Sequence, residues 1–144
     1  MTDAEHYRRL ERMYLLAPIN EFFRPTLRVS DGKAEVEAEI AERFFHAADA
    51  VHGSVYFKML DDAAFFAANS RVKEFFVLTA SFTIYLTRPV VEGTLRSVGT
   101  VVSESRRLLL AEAQLVDARG REIARGSGSF MKSEIALTPE IGYA

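Results

Sequence analysis

The sequence predicts a single α+β domain in which one antiparallel sheet curls around one long central helix. The chain has 144 residues, which is the length of one domain, and 49% of them are hydrophobic, which is enough for a core. Only one long apolar segment has helical periodicity, and four strand-like segments follow it without a second long helix. A long helix with a broad apolar face needs a sheet to cover it, so the two parts are expected to pack together.

The first segment is predicted to be a charged amphipathic helix over residues 3–16. Leu10, Met13 and Tyr14 have the i, i+3, i+4 spacing of one helical face, and Pro18 follows shortly after the expected end. The predicted organisation has three parts, which are an N-terminal helix, an α+β domain and a C-terminal tail, over residues 1–17, 18–134 and 135–144.

Two short strands are predicted next, over residues 26–30 and 33–40. Asp31 and Gly32 lie between them, and this dipeptide is a strong signal for a hairpin turn. Apolar and charged residues alternate along the second strand, so one of its faces is expected to be buried and the other wet. Residues 41–52 are predicted to form a loop.

The long helix is predicted over residues 53–71. Lys58 and Asp62 have i, i+4 spacing, so they are expected to form a solvated ion pair on the polar side of the helix. At about 100° per residue, Asp61 falls on the border between the apolar and polar faces. A carboxylate at that border is accessible and also partly desolvated.

Four more strands are predicted after the helix, over residues 75–86, 94–104, 107–117 and 122–134. The Gly126-Ser127-Gly128 segment lies inside the last of them rather than before a helix. We therefore interpret it as a place where backbones approach closely, and not as a phosphate-binding loop. The phenylalanine pairs of the chain are expected in the core or in a dimer interface rather than around a substrate.

Composition excludes several classes of function. The formal net charge of −2 argues against nucleic acid and against an anionic membrane as the main partner, and no apolar run is long enough to span a membrane. The chain has no cysteine, which excludes disulfides and thiolate chemistry, and its three histidines are scattered without a metal-binding spacing. We expect no metal and no cofactor. The polar N-terminus is unlike a signal peptide and favours a cytoplasmic protein.

The most informative motif is the start of the long helix together with the carboxylate inside it. His52 and Gly53 open the helix, and Asp61 follows nine residues after His52. Unpaired backbone N–H groups at a helix start favour negative charge. A carboxylate on a mostly apolar helix is costly unless it is paired, hydrated or used in chemistry. One helix can therefore supply both an oxyanion-binding group and a general base.

This layout and the motif His52-Gly53-x7-Asp61 resemble the hotdog-fold acyl-CoA thioesterases of the PaaI-like, phenylacetate-degradation type. The resemblance covers roughly residues 18–134. It implies a hotdog fold and hydrolysis of an acyl-CoA with a small or medium acyl group, aromatic ones included. It also implies a homodimer or homotetramer with the active site between subunits.

The resemblance assigns a role to five residues. Asp61 is the general base or the nucleophile, and the N–H of Gly53 points at the thioester oxygen. The motif residue His52 more often supports the loop than takes part in the chemistry. Thr79, eighteen residues after Asp61, helps to hold the attacking water. Many relatives carry an amide or acid six residues before the motif histidine, where this chain has His46. An imidazole N–H can still donate a hydrogen bond to the thioester carbonyl.

Two other functions stay open at this level. A chain of the same fold can be a hydratase or dehydratase acting on acyl-CoA or acyl carrier protein, although those families usually place their acid and histidine in a different order. It can also be a non-catalytic protein that binds acyl-CoA. Several basic side chains are candidates to hold the phosphates of coenzyme A, although a solvated charged face also explains them, namely Arg106, Arg107, Arg121, Arg125 and Lys132.

Overall fold

The computed structural model describes all 144 residues and shows one antiparallel sheet packed against one long helix. The α-helices are α1 (Asp3–Leu16), α2 (Asn20–Phe23) and α3 (Gly53–Asn69). The strands are β1 (Thr26–Ser30), β2 (Lys33–Glu39), β3 (Phe75–Leu86), β4 (Thr94–Glu104), β5 (Leu108–Val116) and β6 (Glu122–Ala136). Two single 3-10 turns complete the chain, at Glu42–Phe44 and Pro139–Ile141.

These elements confirm the fold predicted from the sequence, with three differences besides shifts of one residue at the ends of β2 and β5. α2 was not predicted, because four residues are too few to show a helical period. α3 ends at Asn69, two residues before its predicted end, and Ser70 donates its hydroxyl hydrogen to the carbonyl of Ala67 there. β6 continues to Ala136, two residues into the segment that the sequence assigned to the tail.

The sheet has six strands in the order β1-β2-β4-β5-β6-β3, and every neighbouring pair is antiparallel. β1 and β3 are therefore the two edges. α3 lies across the concave face, and thirty buried apolar side chains form one continuous core around it. No helix of the structure is both long and apolar enough to cross a membrane.

α3 approaches the sheet most closely at β4. A Cβ atom built on Gly99 of β4 would overlap the backbone of Ala63 on α3, so only glycine fits there. Ala63, Ala64 and Ala67 are fully buried on the facing side of the helix. These small side chains hold α3 close to the sheet and fix which residues of the helix lie beside β3.

The interpretation of Gly126-Ser127-Gly128 as a close approach is confirmed, with an aromatic ring as the main neighbour. A Cβ atom on Gly126 would lie 2.5 Å from Phe82 Cε1, and one on Gly128 would overlap the same ring and the carbonyl of Ser81. The two glycines of β6 therefore leave room for the Phe82 side chain of β3.

α1 covers the β1 edge of the sheet. Glu11 accepts a hydrogen bond of 2.8 Å from the N–H of Val29, and Arg8 donates one of 2.8 Å to the carbonyl of Val29. A capping box between Thr2 and Glu5 begins the helix. The backbone groups of Val29 that face away from β2 are thus paired with side chains of α1.

The two ends of the chain meet at a buried histidine. His6 of α1 is fully buried, and its Nδ1 lies 2.6 Å from the hydroxyl of Tyr143 while its Nε2 lies 2.9 Å from the carbonyl of Asn69. Burial lowers the pKa of His6, which favours the neutral ring that these contacts require. Nε2–H donates to Asn69, and Tyr143 donates to Nδ1. The N-terminal helix and the C-terminal tail therefore pack on the same core as the sheet.

Candidate active site

Asp61 lies just over two turns into α3, on the side of the helix that faces β3. Its side chain is half-buried. Burial raises the pKa of this carboxyl from 3.8 to about 6, and the negative charge of Asp62 also raises it. A hydrogen bond from Thr79 and the positive charge of Lys58 lower it in part. Asp61 is thus mostly ionised at neutral pH and is a stronger base than an exposed aspartate.

Thr79 of β3 contacts Asp61, as the spacing of eighteen residues predicts. Its hydroxyl donates a hydrogen bond of 2.9 Å to Asp61 Oδ1. No side chain or backbone N–H of the chain donates to Oδ2, so that oxygen can accept a hydrogen from water. Thr79 is itself exposed on the edge strand. The pair therefore lies at the surface of the chain rather than inside a closed pocket.

The start of α3 presents a free backbone donor. His52 is the N-cap residue, and its Nδ1 accepts a hydrogen bond of 2.9 Å from the N–H of Ser54. The N–H of Gly53 makes no hydrogen bond within the chain. An unpaired N–H in the first helical turn, at the positive end of the dipole, is a suitable partner for an oxyanion.

His46 lies beside this helix start. Its Nδ1 accepts a hydrogen bond of 3.0 Å from the N–H of Ala48, so the proton of the neutral ring is on Nε2. The rings of His46 and His52 are 6.5 Å apart in an edge-to-face arrangement, and both are exposed. His46 is therefore held with its Nε2–H free to donate, and its ring lies near that of His52, the residue before Gly53.

The five predicted site residues form two groups within one chain. Asp61 and Thr79 are one group, while His46, His52 and Gly53 are the other. Eight residues of α3 separate Gly53 from Asp61, which corresponds to about 12 Å along the helix axis. One thioester carbonyl cannot contact both groups of the same chain at that separation.

A cavity of about 310 Å³ opens beside Asp61 and Thr79. Aromatic and apolar side chains of α1, α3 and β3 form most of its walls, among them Tyr14, Phe65, Phe66, Phe76 and Leu78. Phe65, Phe66 and Phe76 pack in or against the core, as expected from the sequence, and they also line this cavity. They also touch one another, and the ring centroids of Phe65 and Phe76 are 5.0 Å apart.

Asp62 and Lys58 do not form a solvated ion pair, which corrects the expectation from the sequence. Lys58 Nζ lies 2.7 Å from Asp62 Oδ2, but the two side chains are only 13% and 16% exposed. The hydroxyl of Tyr14 donates a hydrogen bond of 2.6 Å to the same oxygen. A helical wheel of α3 does not show that this pair is buried, because the side chain of Tyr14 that contacts it belongs to α1.

Tyr14 and Lys58 are the site residues that sequence reasoning missed, and both line the same cavity as Asp61. The signal for Tyr14 was its place in the apolar stripe of α1, which by itself indicates only packing. Among the basic candidates for coenzyme A, Arg121 pairs with Asp117 and Arg125 pairs with Glu122. No three acidic or histidine side chains are grouped as metal ligands.

Comparison with known proteins gives a family-level match over the site. Residues 49–124, slightly more than half of the chain, match the model of a family described as the thioesterase superfamily. The matched region contains α3, β3, Asp61 and Thr79. No match was found among curated proteins.

Solved structures show the same fold over nearly the whole chain. The PaaI protein of the Escherichia coli phenylacetic acid degradation operon is 18% identical, with a TM-score of 0.86 over 96% of this chain and 100% of that one. A conserved protein of Pseudomonas aeruginosa is 26% identical, with a TM-score of 0.78 over 85% and 98%. A variant of the phenylacetic acid degradation protein PaaI of Thermus thermophilus is 21% identical, with a TM-score of 0.74 over 81% and 99%.

Proposed function

The chain belongs to the thioesterase superfamily and is a thioester hydrolase, and we propose that it hydrolyses an acyl-CoA with a small or medium acyl group to the free acid and coenzyme A. The observation that carries this proposal is the contact of Asp61 with Thr79 at the mouth of an apolar cavity. This arrangement brings together a base, Asp61, a hydroxyl that can position water, Thr79, and a cavity large enough for a small acyl group.

The proposed reaction begins with a water molecule between Asp61 and Thr79. Asp61 Oδ2 takes a proton from that water while Oδ1 stays bonded to the Thr79 hydroxyl. The water oxygen attacks the thioester carbonyl and forms a tetrahedral intermediate. The C–S bond then breaks, the carbonyl re-forms as a carboxylic acid, and the coenzyme A thiolate takes up a proton. A carboxyl with a pKa of about 6 is suited to this work, since it is ionised at neutral pH but still basic.

The alternative is direct attack of Asp61 on the carbonyl, which forms a mixed anhydride that water then hydrolyses. A single turnover in H₂¹⁸O tests for direct attack, because label in Asp61 can arise only through the anhydride. Water activation places the label only in the released acid. Attack by Asp61 leaves label in the aspartate when water opens the anhydride at the protein carbonyl.

The oxyanion of the intermediate needs donors that lie across from Asp61. We propose that the N–H of Gly53 and Nε2–H of His46 supply them, because neither has a partner within the chain and the His46 ring lies 6.5 Å from that of His52, the residue before Gly53. A donor of this kind contributes about 3 kcal/mol to transition-state stabilisation. His52 holds the loop in place, since its Nδ1 caps Ser54.

The separation of about 12 Å between these donors and Asp61 in one chain implies a site that two copies share. The helix start lies against the end of β3, where a Cβ on Gly53 would be 3.3 Å from Leu86 Cδ1. If two β3 edges pair antiparallel about a two-fold axis near the middle of the strand, the Leu86 end of one copy lies beside the Thr79 end of the other. The donors of one copy then face Asp61 of its neighbour.

We therefore propose a homodimer formed through β3 as the smallest active unit. Three apolar side chains that are exposed on this strand support it: Leu78, Tyr85 and Leu86. Assembly of dimers into a homotetramer and a cytoplasmic location stay predictions from the sequence.

The acyl group that fits best is a small aromatic one. The cavity volume of about 310 Å³ is at the low end for ligand pockets, and its walls include several aromatic rings. Offset and edge-to-face contacts with such rings favour a flat aromatic guest. The operon of the similar Escherichia coli protein points to the same class, a phenylacetyl-type acyl group.

Release of free thiol from a panel of acyl-CoAs tests the proposal. We expect the highest kcat/KM for small aryl and arylacetyl thioesters and much lower values for long-chain ones. Hydration of an enoyl-CoA without release of thiol would instead support the hydratase alternative. Binding without turnover would support a non-catalytic acyl-CoA-binding protein. Asp61→Asn protein serves as the control for contaminating hydrolase.

A further inference from the structure

We propose that Lys58 is a positioning residue for Asp61, and that Asp62 and Tyr14 hold its ammonium where it keeps Asp61 in the ionised form. The inference rests on the proposed function and deepens it, because it says what makes a half-buried carboxyl able to take a proton from water. It also makes the N-terminal helix a part of the active site.

The three side chains form a compact cluster with short polar contacts. Lys58 Nζ and the Tyr14 hydroxyl both bond to Asp62 Oδ2, at 2.7 and 2.6 Å. The same ammonium lies over two aromatic rings, 5.3 Å from the centroid of Tyr14 and 5.0 Å from that of Phe23. Contacts from two directions fix a lysine that would otherwise move freely.

The cluster lies next to Asp61. Lys58 precedes Asp61 by three residues on α3, so the two side chains lie on the same side of the helix one turn apart. Lys58, Asp62 and Tyr14 line the same cavity as Asp61 and Thr79. An ion pair that is largely removed from solvent contributes little to stability, because desolvation offsets most of the attraction. The position of the Lys58–Asp62 pair beside Asp61 therefore points to a role in function rather than in stability.

The charges around Asp61 act in opposite directions. Lys58 lowers the pKa of Asp61 and Asp62 raises it, both from α3. From α1, Tyr14 adds no charge, because burial and the neighbouring Asp62 raise its pKa far above the physiological range. From β3, Thr79 adds no charge, but its hydrogen bond lowers the pKa of Asp61 more than any other neighbour does. Lys58 is the positive charge among these neighbours, and it partly offsets the larger effect of Asp62, which also holds it in place.

These opposite effects predict that the pKa of Asp61 rises in the Lys58→Met variant and falls in the Asp62→Asn variant. Lys58→Met keeps the aliphatic stem but removes the charge, so Asp61 is protonated at a higher pH. The acid limb of the kcat/KM profile then moves up by about one pH unit, the low end of what a neighbouring charge does. Asp62→Asn moves the limb down, because it removes a negative neighbour and releases the ammonium toward Asp61.

The experiment measures kcat/KM against pH for these variants and for the combined Lys58→Met/Asp62→Asn protein. We expect the limb of the combined variant to lie between those of the single variants. Lys58→Arg keeps the charge and should restore most of the wild-type profile. Lys33→Met is the matched control, because Lys33 is an exposed lysine of β2 that pairs with Glu35. Its profile should equal that of the wild type.

A second measurement does not depend on catalysis. Titration of the Asp61 carboxyl by carbon-13 NMR, without substrate, should show the same opposite shifts. If wild-type protein hydrolyses no acyl-CoA, the proposed function fails, while the titration still decides whether Lys58 controls Asp61. An Asp61 titration that is unchanged in folded Lys58→Met would overturn the proposal. So would shifts of the same sign in both single variants, since these would indicate a general change of packing.

Discussion

The two edges of the sheet are built in opposite ways. β1 has five residues, and α1 lies over it with Glu11 and Arg8 bonded to the backbone of Val29. β3 has twelve residues, and no element of the chain covers its outer side. Tyr85 and Leu86 on this strand are 65% and 50% exposed. One edge is closed within the chain, whereas the other is left open.

The open edge is also where the proposed active site lies. Thr79 is on β3, Asp61 bonds to it from α3, and the helix start at Gly53 lies against the far end of the same strand. The covered edge carries none of these groups. An open edge with apolar side chains presents backbone groups that another strand can pair with. The difference between the edges supports the proposal that assembly and catalysis use the same strand, and variants at either edge test it.

The largest effect is expected when the base beside the open edge is removed. Asp61→Asn should lower kcat/KM about a hundredfold or more, because an amide cannot take a proton from water. In the wild-type protein the base works only when ionised. Since burial raises the pKa of Asp61 to about 6, kcat/KM should be constant above that pH and fall as the pH is lowered through it. Steady-state thiol release measured from mildly acidic to mildly basic pH gives both results.

The control for this prediction is Asp31→Asn, which removes a carboxylate from the β1–β2 turn, where Asp31 pairs with Arg71. It should leave kcat/KM unchanged. Near-normal turnover by a well-folded Asp61→Asn protein would exclude Asp61 as the base and as the nucleophile.

The second effect comes from blocking the open edge. Thr83→Asp introduces a charge at an exposed position in the middle of β3, and two such charges lie close together if two β3 strands pair there. We expect monomers by sedimentation and a loss of activity of about tenfold to a hundredfold, because each site would lack the donors of its neighbour. Thr26→Asp makes the same change on β1 and should alter neither mass nor activity. An active species of monomer mass would contradict the shared site.

The third effect concerns His46, the proposed hydrogen-bond donor in the loop before α3. His46→Ala should lower kcat/KM by about tenfold to a hundredfold, since it removes a hydrogen bond to the reacting carbonyl. His46→Asn keeps an N–H donor and should retain substantial activity. If His46 only fills its loop, both variants should lower the melting temperature alike and leave turnover per folded protein unchanged.

The two edges also differ in how far the sequence predicts them. The strands themselves were predicted from local patterns, but the elements that cover or contact them were not. Strand-like runs and the turn residues between them are local signals, and they predicted β1, β3 and β4 with their observed bounds. The contact of Thr79 with Asp61 came from a family spacing rather than from local pattern. Spacing is informative there because one helix and the next strand connect through a short turn.

What the sequence could not predict depends on packing between distant elements. The stripe of α1 shows that one face is apolar, but it does not show that Tyr14 reaches Asp62, forty-eight residues away. For the same reason Lys58 and Asp62 were expected in solvent. Which edge α1 covers is decided by side chains at Arg8 and Glu11, which in sequence look like any exposed charged pair of a helix.

The smallest effect is expected at the covered edge. Glu11→Met removes the acceptor of the Val29 N–H and should lower the free energy of unfolding by about 1 kcal/mol, as for one lost hydrogen bond. Glu11→Gln keeps an amide oxygen in the same place and should lose less. Both proteins should retain the wild-type mass and kcat/KM, because Glu11 bonds to β1 and not to the cluster around Asp61. Urea unfolding and thiol release measure the two quantities separately. A fall in kcat/KM of Glu11→Met while the protein is folded would show that the covered edge also supports the site, through the position of Tyr14 on the same helix.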